Sequence, residues 1–316
     1  MFFYKPHSGG VELELPLLVT FRRYEIYEFN ARFPVIPGSD SDRLRLELSS
    51  GYSTRTSDTF FGMGNDSALS DRSGFRRVTR ELDAGFSTRL DHVWKGSLRA
   101  VYQNVGVTEP RKVQSAQQAF ANKDIPGLLE GAEMRSAVLA VTRDTTNHKV
   151  PTRGGLLQAE ASLNDGMGKG DFSYWKYRVR FHQFFPLDAG ESKIVAIRAM
   201  AETNQERRGS KIPFFDLATL GDWNDLRGFE QSRFYDKSAL SFGVEYRYRI
   251  WRAFDWALFT DRGQVAPEPG DFGAARFHTS YGARLIALPK TRRPITIDAA
   301  RSREGWRFYL NFSPEF

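Results

Sequence analysis

Apolar and polar residues alternate along almost the whole chain, with the two-residue period of a β-strand whose faces meet different surroundings. In DRLRLELSS, Leu44, Leu46 and Leu48 share one face and Arg43, Arg45 and Glu47 the other. In YWKYRVRFHQ, Trp175, Tyr177, Val179 and Phe181 oppose Lys176, Arg178, Arg180 and His182. LSFGVEYRYRI sets Leu240, Phe242, Val244, Tyr246, Tyr248 and Ile250 against Gly243, Glu245, Arg247 and Arg249. Near the end, Trp306, Phe308, Leu310 and Phe312 alternate with Arg307, Tyr309 and Asn311. The pattern predicts about fourteen strands, near 11–22, 24–36, 42–62, 75–91, 93–110, 134–147, 153–165, 171–187, 193–206, 238–251, 253–267, 277–290, 292–303 and 305–316. Short turns (PGSD, LDAGES, PKTRRP) join some of them, and long polar loops near 65–74, 111–133 and 207–235 join others. No helical period is sustained. The nearest candidate, NKDIPGLLEGAEM (122–134), is broken by Pro126 and two glycines and reads as loop.

Two architectures produce this alternation. A soluble sandwich buries its apolar faces between two sheets and shows the charged faces to water. A membrane barrel turns its apolar faces to lipid and its charged faces to the lumen. Fourteen strands are more than one sandwich domain ordinarily holds, and most segments match the ~10-residue span of a tilted membrane strand. The apolar faces are rich in aromatics, with Trp94, Trp175, Trp251 and Trp306 at strand ends, as in the girdles that flank a bilayer. Short turns at one rim and long loops at the other complete the expectation. It is an all-β fold, a transmembrane antiparallel up-and-down β-barrel, forming a single domain over residues 1–316.

Composition is compatible with this reading, although it first suggests a soluble protein. The chain is 41% hydrophobic and 26% charged, with mean hydropathy −0.48. A barrel shows lipid only alternate side chains, so its average stays modest. No apolar run approaches the ~20 residues of a membrane-spanning helix; LPLLVTF (15–21) is the longest. The absence of cysteine rules out disulfides and thiolate metal sites and fits an oxidising compartment. A net charge of +7 permits contact with an anionic surface. The arginines read as solvated side chains, and nucleic acid is not expected as a partner. MFFYKPHSGG lacks the basic and apolar regions of a signal peptide.

Motifs for covalent or metal chemistry are missing. The five histidines, His7, His92, His148, His182 and His278, show no metal-ligand spacing. There is no G-x-S-x-G elbow. GMGKGD (166–171) has Leu163 where a phosphate loop needs its first glycine, and GMGNDS lacks the third glycine of a dinucleotide loop. Asp222, Asp225 and Asp236 read as loop or luminal acids rather than a cation site. The expectation is no enzyme, no cofactor and no metal.

What remains is GDWNDLRGFEQSRF (221–234), an Arg-Gly-Phe set among charges and aromatics before a cleanly alternating strand. Here the C-terminal third resembles the bacterial surface antigen superfamily of outer-membrane barrels, which holds the BamA/TamA assembly factors and the two-partner secretion transporters. Leu226-Arg227-Gly228-Phe229 is similar to that family's (V/I)RG(F/Y), with Leu226 in place of the β-branched residue. Glu245 to Tyr248 (EYRY) matches the strand that follows it. Phe259-Thr260-Asp261-Arg262-Gly263 matches F-x-D-x-G. YGARLIALPKTRRPITIDAA resembles the closing G-x-R…P-x-x-x-D pattern. Upstream, FFGMGNDS (60–67) and TRDTTNHKVPTRGG (142–155) resemble elements of smaller members.

The resemblance implies sixteen strands and a long loop folded into the lumen, with Arg227 reaching Asp261. Phe259, Asp261 and Gly263 share a face, and Glu245 lies on the charged side of the preceding strand. Gly228 would let the backbone turn at the loop tip, and Phe229 would pack against the wall. Trp306, Phe308, Leu310, Phe312 and Phe316 match the family's C-terminal sorting signal. Either two strands are missing from the N-terminus or the first 40 residues are wrongly divided. The lack of POTRA modules and of a signal peptide implies a chain that begins late.

By resemblance, the expected function is insertion, assembly or translocation through a weak seam between first and last strands. The partners would be outer-membrane lipid and lipopolysaccharide, unfolded client polypeptide, or periplasmic assembly subunits. The alternative is a passive channel or structural barrel without client handling.

Overall fold

The computed structural model describes residues 11–20, 24–35, 43–110, 113–147, 150–251, 253–287 and 294–312. Two short strands, β1 (Glu12–Glu14) and β2 (Leu17–Val19), both pair with β3 (Glu25–Pro34). The segment expected as one strand over 11–22 is thus broken at Leu15-Pro16. Pro16 has no N–H to give to a ladder, and an edge strand tolerates that gap best. Its carbonyl still accepts from Glu28 N–H at 3.1 Å.

From β3 the antiparallel ladder runs through β4 (Leu44–Phe60), β5 (Ser73–Arg89), β6 (Trp94–Thr108), β7 (Ala132–Asp144), β8 (Gly154–Gly166), β9 (Ser173–Pro186) and β10 (Lys193–Glu206). A separate ribbon follows, β11 (Ala218–Leu220) with β12 (Phe234–Asp236). The main sheet then continues with β13 (Ser238–Trp251), β14 (Phe254–Ala266), β15 (His278–Ala287), β16 (Ile295–Ser302) and β17 (Gly305–Asn311). With β1 and β2 sharing one position, fourteen strands stand side by side. Among the described residues, no ladder joins β17 to β1 or β2.

Alternation becomes two surfaces. Leu82, Leu98, Leu139, Val179, Val244 and Leu258 are exposed on the outer face, the face that a membrane barrel makes apolar. Their in-between neighbours line the lumen and pair between adjacent strands, such as Arg99 of β6 with Asp83 of β5 at 2.6 Å and Arg178 of β9 with Glu202 of β10 at 2.6 Å. Trp94 opens β6 and Trp251 closes β13 at the short-turn rim, while Trp175 and Trp306 begin β9 and β17 at the opposite rim.

The long connections, 61–72, 109–131, 207–237 and 267–277, all leave that second rim. They are less polar in place than they read in sequence. Residues 109–131 carry a single helical turn, α1 (Ala116–Ala119), capped by the Ser115 hydroxyl accepting from Gln118 N–H at 3.2 Å. Phe120, Ile125 and Leu128 from this segment join Ile212, Phe214, Phe215 and Leu217 of the later loop in one buried cluster. Phe60 lies at its centre, edge-on to Phe120, Phe214 and Tyr235 at 5.1–5.2 Å. Burying one such ring is worth about 1.5–3 kcal/mol, so the cluster anchors the loops as a lid over this end of the lumen. Below it the chain from 218 to 236 descends between the walls.

Candidate functional site

The β11–β12 ribbon makes the lower loop a closed hairpin, with Ala218 paired to Asp236 and Leu220 to Phe234. Its arms are tied again where Ser232 N–H meets Gly221 carbonyl at 2.7 Å. A bridge between Asp222 and Leu226 then folds the chain tightly, and Gly221 N–H donates to the Asp225 carboxylate at 3.0 Å. This turn aims Arg227 into the wall.

The Arg227 guanidinium grips Asp261 with two parallel bonds, Nε to Oδ2 at 2.8 Å and Nη2 to Oδ1 at 2.9 Å. The Arg227 backbone N–H adds a third at 3.3 Å. Nη1 reaches Glu245 Oε2 at 3.0 Å, and the plane lies over the Phe259 ring at 3.3 Å from its centroid. Planar donors, a bidentate carboxylate and an aromatic face are a combination that lysine does not reproduce. Burial alone would weaken the guanidinium, but Asp261 and then Glu245 outweigh it and push its pKa above the ordinary arginine value.

The three neighbours of Arg227 come from adjacent strands because Glu245 on β13 stands opposite Phe259 on β14, with Asp261 two residues along. The other motif residues fall around the same tip. Gly228 has φ of +88°, a left-handed conformation that costs other residues energy. Phe229 is fully buried against Phe234 of the ribbon and His278 of the wall, at 5.4 and 5.7 Å. Leu226 is buried with Leu220 and Val265. Gly263 makes room for the ribbon, since a Cβ there would stand 2.9 Å from Leu220 Cδ1.

A model of the Omp85 superfamily domain matches residues 20–303. The chain belongs to the Omp85 superfamily. Among solved structures, it is similar to BamA from Haemophilus ducreyi lacking POTRA domains 1–3, with a TM-score of 0.71 and 14% identity over 96% of this chain and 64% of that one. It is also similar to CdiB from Acinetobacter baumannii, with a TM-score of 0.55 and 12% identity over 95% of this chain and 52% of that one. The chain therefore spans less than two thirds of the length of either. No curated protein matches the sequence. At these identities the likeness establishes the barrel fold. No helix among the described residues is long and apolar enough to cross a membrane, and an Omp85 barrel crosses with strands.

The Omp85 site is larger than its motifs. Arg198 on β10 shares Asp261, with Nη2 at 2.7 Å from Oδ1. It also donates to the carbonyls of Asn224 at 2.9 Å and Asp225 at 3.3 Å, so it grips the loop turn by its backbone. Arg198 and Asp261 sit on either side of Gly243 in register, and a Cβ at Gly243 would lie 2.5 Å from Asp261 Oδ1. Arg284 pairs across the ladder with Asp298 at 2.6 and 2.7 Å and approaches Glu245 at 3.5 Å. These are the charged members of the G-x-R…P-x-x-x-D pattern, a signal that could have marked them in advance.

The loop tip also binds the last two strands. Tyr309 of β17 accepts from Gly228 N–H at 3.1 Å and donates to Phe229 carbonyl at 3.0 Å. Ser302 of β16 donates to Gly228 carbonyl at 2.7 Å. Glu230 pairs with Arg307 at 3.2 Å, and Arg233 with Glu304 at 2.8 Å. Arg233 further donates to Ser67 and lies between the rings of Phe61 and Phe234. Trp306, Phe308, Leu310 and Phe312 face outward and are exposed; Phe316 lies outside the described residues. Asp222 and Asp225 border one cavity and Asp236 another, so the three aspartates do not converge. His7 and His148 fall outside the described residues, and His278 stacks on Phe234 at 4.0 Å.

Proposed function

We propose that this chain is an integral bacterial outer-membrane barrel that inserts or translocates polypeptide, with the Arg227 loop as the catch that holds the resting state. The observation that carries this reading is the double attachment of one loop tip. Arg227 fastens it to β13 and β14, and residues 228–233 fasten it to the β16–β17 hairpin. The outer edge of β17 meets no partner strand among the described residues. An unpaired edge is a template for an incoming strand, so the state of the loop is mechanically tied to the strand that would receive a client. Lipid and lipopolysaccharide surround the exposed outer face, and the aromatic run Trp306–Phe312 serves as the barrel's own assembly signal. The chain acts by binding and rearrangement, and no covalent step is assigned to it.

The test uses the purified barrel in proteoliposomes. The folding rate of an unfolded outer-membrane client is measured with wild-type protein, with Arg227→Ala and with empty liposomes. The wild type should speed client folding, and Arg227→Ala, still a folded barrel by its heat-dependent gel mobility, should change that rate and raise channel conductance. Wild-type behaviour equal to empty liposomes, with a steady pore indifferent to client, would replace this reading with a passive barrel.

A further inference from the structure

Beside the descended loop lies a second feature that the lock does not use. A polar cavity of about 1160 Å³ is bounded by the loop on one side and by β4, β5 and β9 on the others. Six cations line it: Arg55, Arg72, Arg77, Lys176, Arg178 and Arg180.

Three of these charges are met. Arg77 pairs with Asp58 at 3.1 Å, and Arg72 with Glu230 at 2.6 Å. Lys176 and Arg178 converge on the single carboxylate of Glu202, at 3.0 and 2.6 Å. Arg55 and Arg180 make no ion pair with any described residue, and both are exposed to the lumen. They enter the cavity from different walls, β4 and β9, and Arg180 stands two residues from Arg178 on the same face. Locally, three positive charges are left over.

The loop side offsets them only in part. It brings Asp216, whose carboxylate accepts from the Tyr174 hydroxyl, and Asp222 and Asp225, which accept backbone N–H groups, and none of the three reaches a cation within ion-pair distance. Burial pushes the Asp225 pKa up to about 7 and raises Asp222 as well, so Asp225 is partly protonated at neutral pH and can donate rather than repel. The hydroxyl-bearing residues Ser57, Thr219 and Ser232 also line the cavity. Guanidinium groups with hydroxyl donors, in a water-filled cleft with low-dielectric walls, concentrate anions and suit tetrahedral oxyanions best.

We propose that this chamber binds a multivalent phosphate-type anion, held between Arg55 and Arg180 with Arg178 as the third contact. The same chemistry has two sources, a free oxyanion entering the lumen or the phosphate of a lipid headgroup. The volume holds inorganic pyrophosphate with water to spare and a larger phosphorylated group as well. The inference does not depend on polypeptide insertion, since a passive barrel would carry the same site.

The experiment is a calorimetric titration of the whole purified barrel in uncharged detergent at about 0.15 M salt, where diffuse surface attraction is screened. Inorganic pyrophosphate is the soluble probe, and phosphatidic acid in mixed micelles is the lipid probe. Saturable binding of either supports the proposal, and the better probe identifies the source. Arg180→Gln should weaken binding about tenfold and Arg55→Gln/Arg180→Gln about a hundredfold, as expected for loss of charge-assisted contacts. Arg180→Lys should retain part of the affinity. Arg208→Gln, which removes one charge from the exposed rim outside the chamber, should bind like wild type. Failure of both probes to saturate, or equal weakening by Arg208→Gln and Arg180→Gln, would overturn it. Arg55 and Arg180 hold no structural partner, so both variants should fold.

Discussion

The two walls of one lumen treat the same residue type in opposite ways. On β10 and β13–β16, beneath the loop, Arg198, Arg247 and Arg284 are buried or nearly so, and each meets a carboxylate or a carbonyl. Asp261, Glu245 and Asp298 supply those carboxylates and are equally buried. On β4 and β9, Arg55 and Arg180 stand exposed with no ion pair. The difference is water. Where the loop docks, it strips solvent from the wall, and a charge there is tolerable only with full pairing and hydrogen bonding. Where the loop stands off, the lumen hydrates the arginines and nothing compels a partner. Complete burial of the arginines, rather than pairing itself, therefore follows contact with the loop, since Arg77, Arg99 and Arg178 pair with carboxylates on the open wall while staying partly exposed.

The strongest test of that contrast is Asp261→Ala. Asp261 serves both Arg227 and Arg198, so its loss leaves two buried cations short of a counter-charge. Breaking one buried pair costs about 3–5 kcal/mol, and this substitution should sit at the top of that range. Arg227→Ala leaves Asp261 still held by Arg198 and should cost less. Thermal unfolding followed on gels, with protease nicking of residues 221–233, gives the ranking. If Arg227→Ala proves the more damaging, Asp261 is not the shared hub that its geometry describes.

A smaller, pH-dependent effect separates the edge of the docked region from its centre. Asp225 is half-buried, and burial raises its pKa to about 7 against the opposing hydrogen bond from Gly221 N–H. The carboxyl is thus a weaker acid in the docked loop than in the free one. The proton favours docking, so this contribution is fully present below about pH 4 and is lost as pH rises toward 7. A three-unit shift in a dry site would be worth roughly 4 kcal/mol. Luminal water screens it, and about 1–2 kcal/mol is the expected size. Protease nicking of the loop should accelerate between pH 5 and pH 8, and Asp225→Asn should flatten that dependence. Unchanged pH sensitivity in the variant would place the titrating group elsewhere.

How much of this could be read from the chain follows the same division. The strands were legible because a barrel wall has only two environments, and alternation reports both. Boundaries at 193–206 and 238–251 match β10 and β13 as expected from sequence. The break at Pro16 was visible as a proline but not as an edge, since edge position is a property of the sheet. The β11–β12 ribbon was hidden inside a loop, because three-residue strands leave no period to detect. In the site, Arg227, Asp261 and Glu245 could be named from motifs, and the structure sets them together. Arg284 and Asp298 stood in a quoted pattern without being paired, although a cross-strand register brings them opposite. Arg198 carried no signal at all. In KIVAIRAMAETNQE it is one luminal charge among several, and only the closeness allowed by Gly243 makes it a partner of Asp261. The same silence covers Tyr309, whose role depends on where the loop tip stops.

The smallest predicted effect is the one that tests the contrast from its other side. Arg180→Gln removes a full charge from the lumen, as Arg227→Ala does, yet it breaks no ion pair and empties no packed site. An exposed charge without a partner contributes little to stability, so the change should stay within about 0.5 kcal/mol. It could even stabilise slightly, because Arg178 lies close enough to repel Arg180. The same thermal unfolding assay reads it directly. A loss of 2 kcal/mol or more would mean that Arg180 is held by something as firmly as Arg227 is, and the chamber wall would then belong to the same locked structure as the wall opposite. A near-zero effect, beside several kcal/mol for Asp261→Ala, would establish that the loop locks one side of the lumen and leaves the other open to ligand.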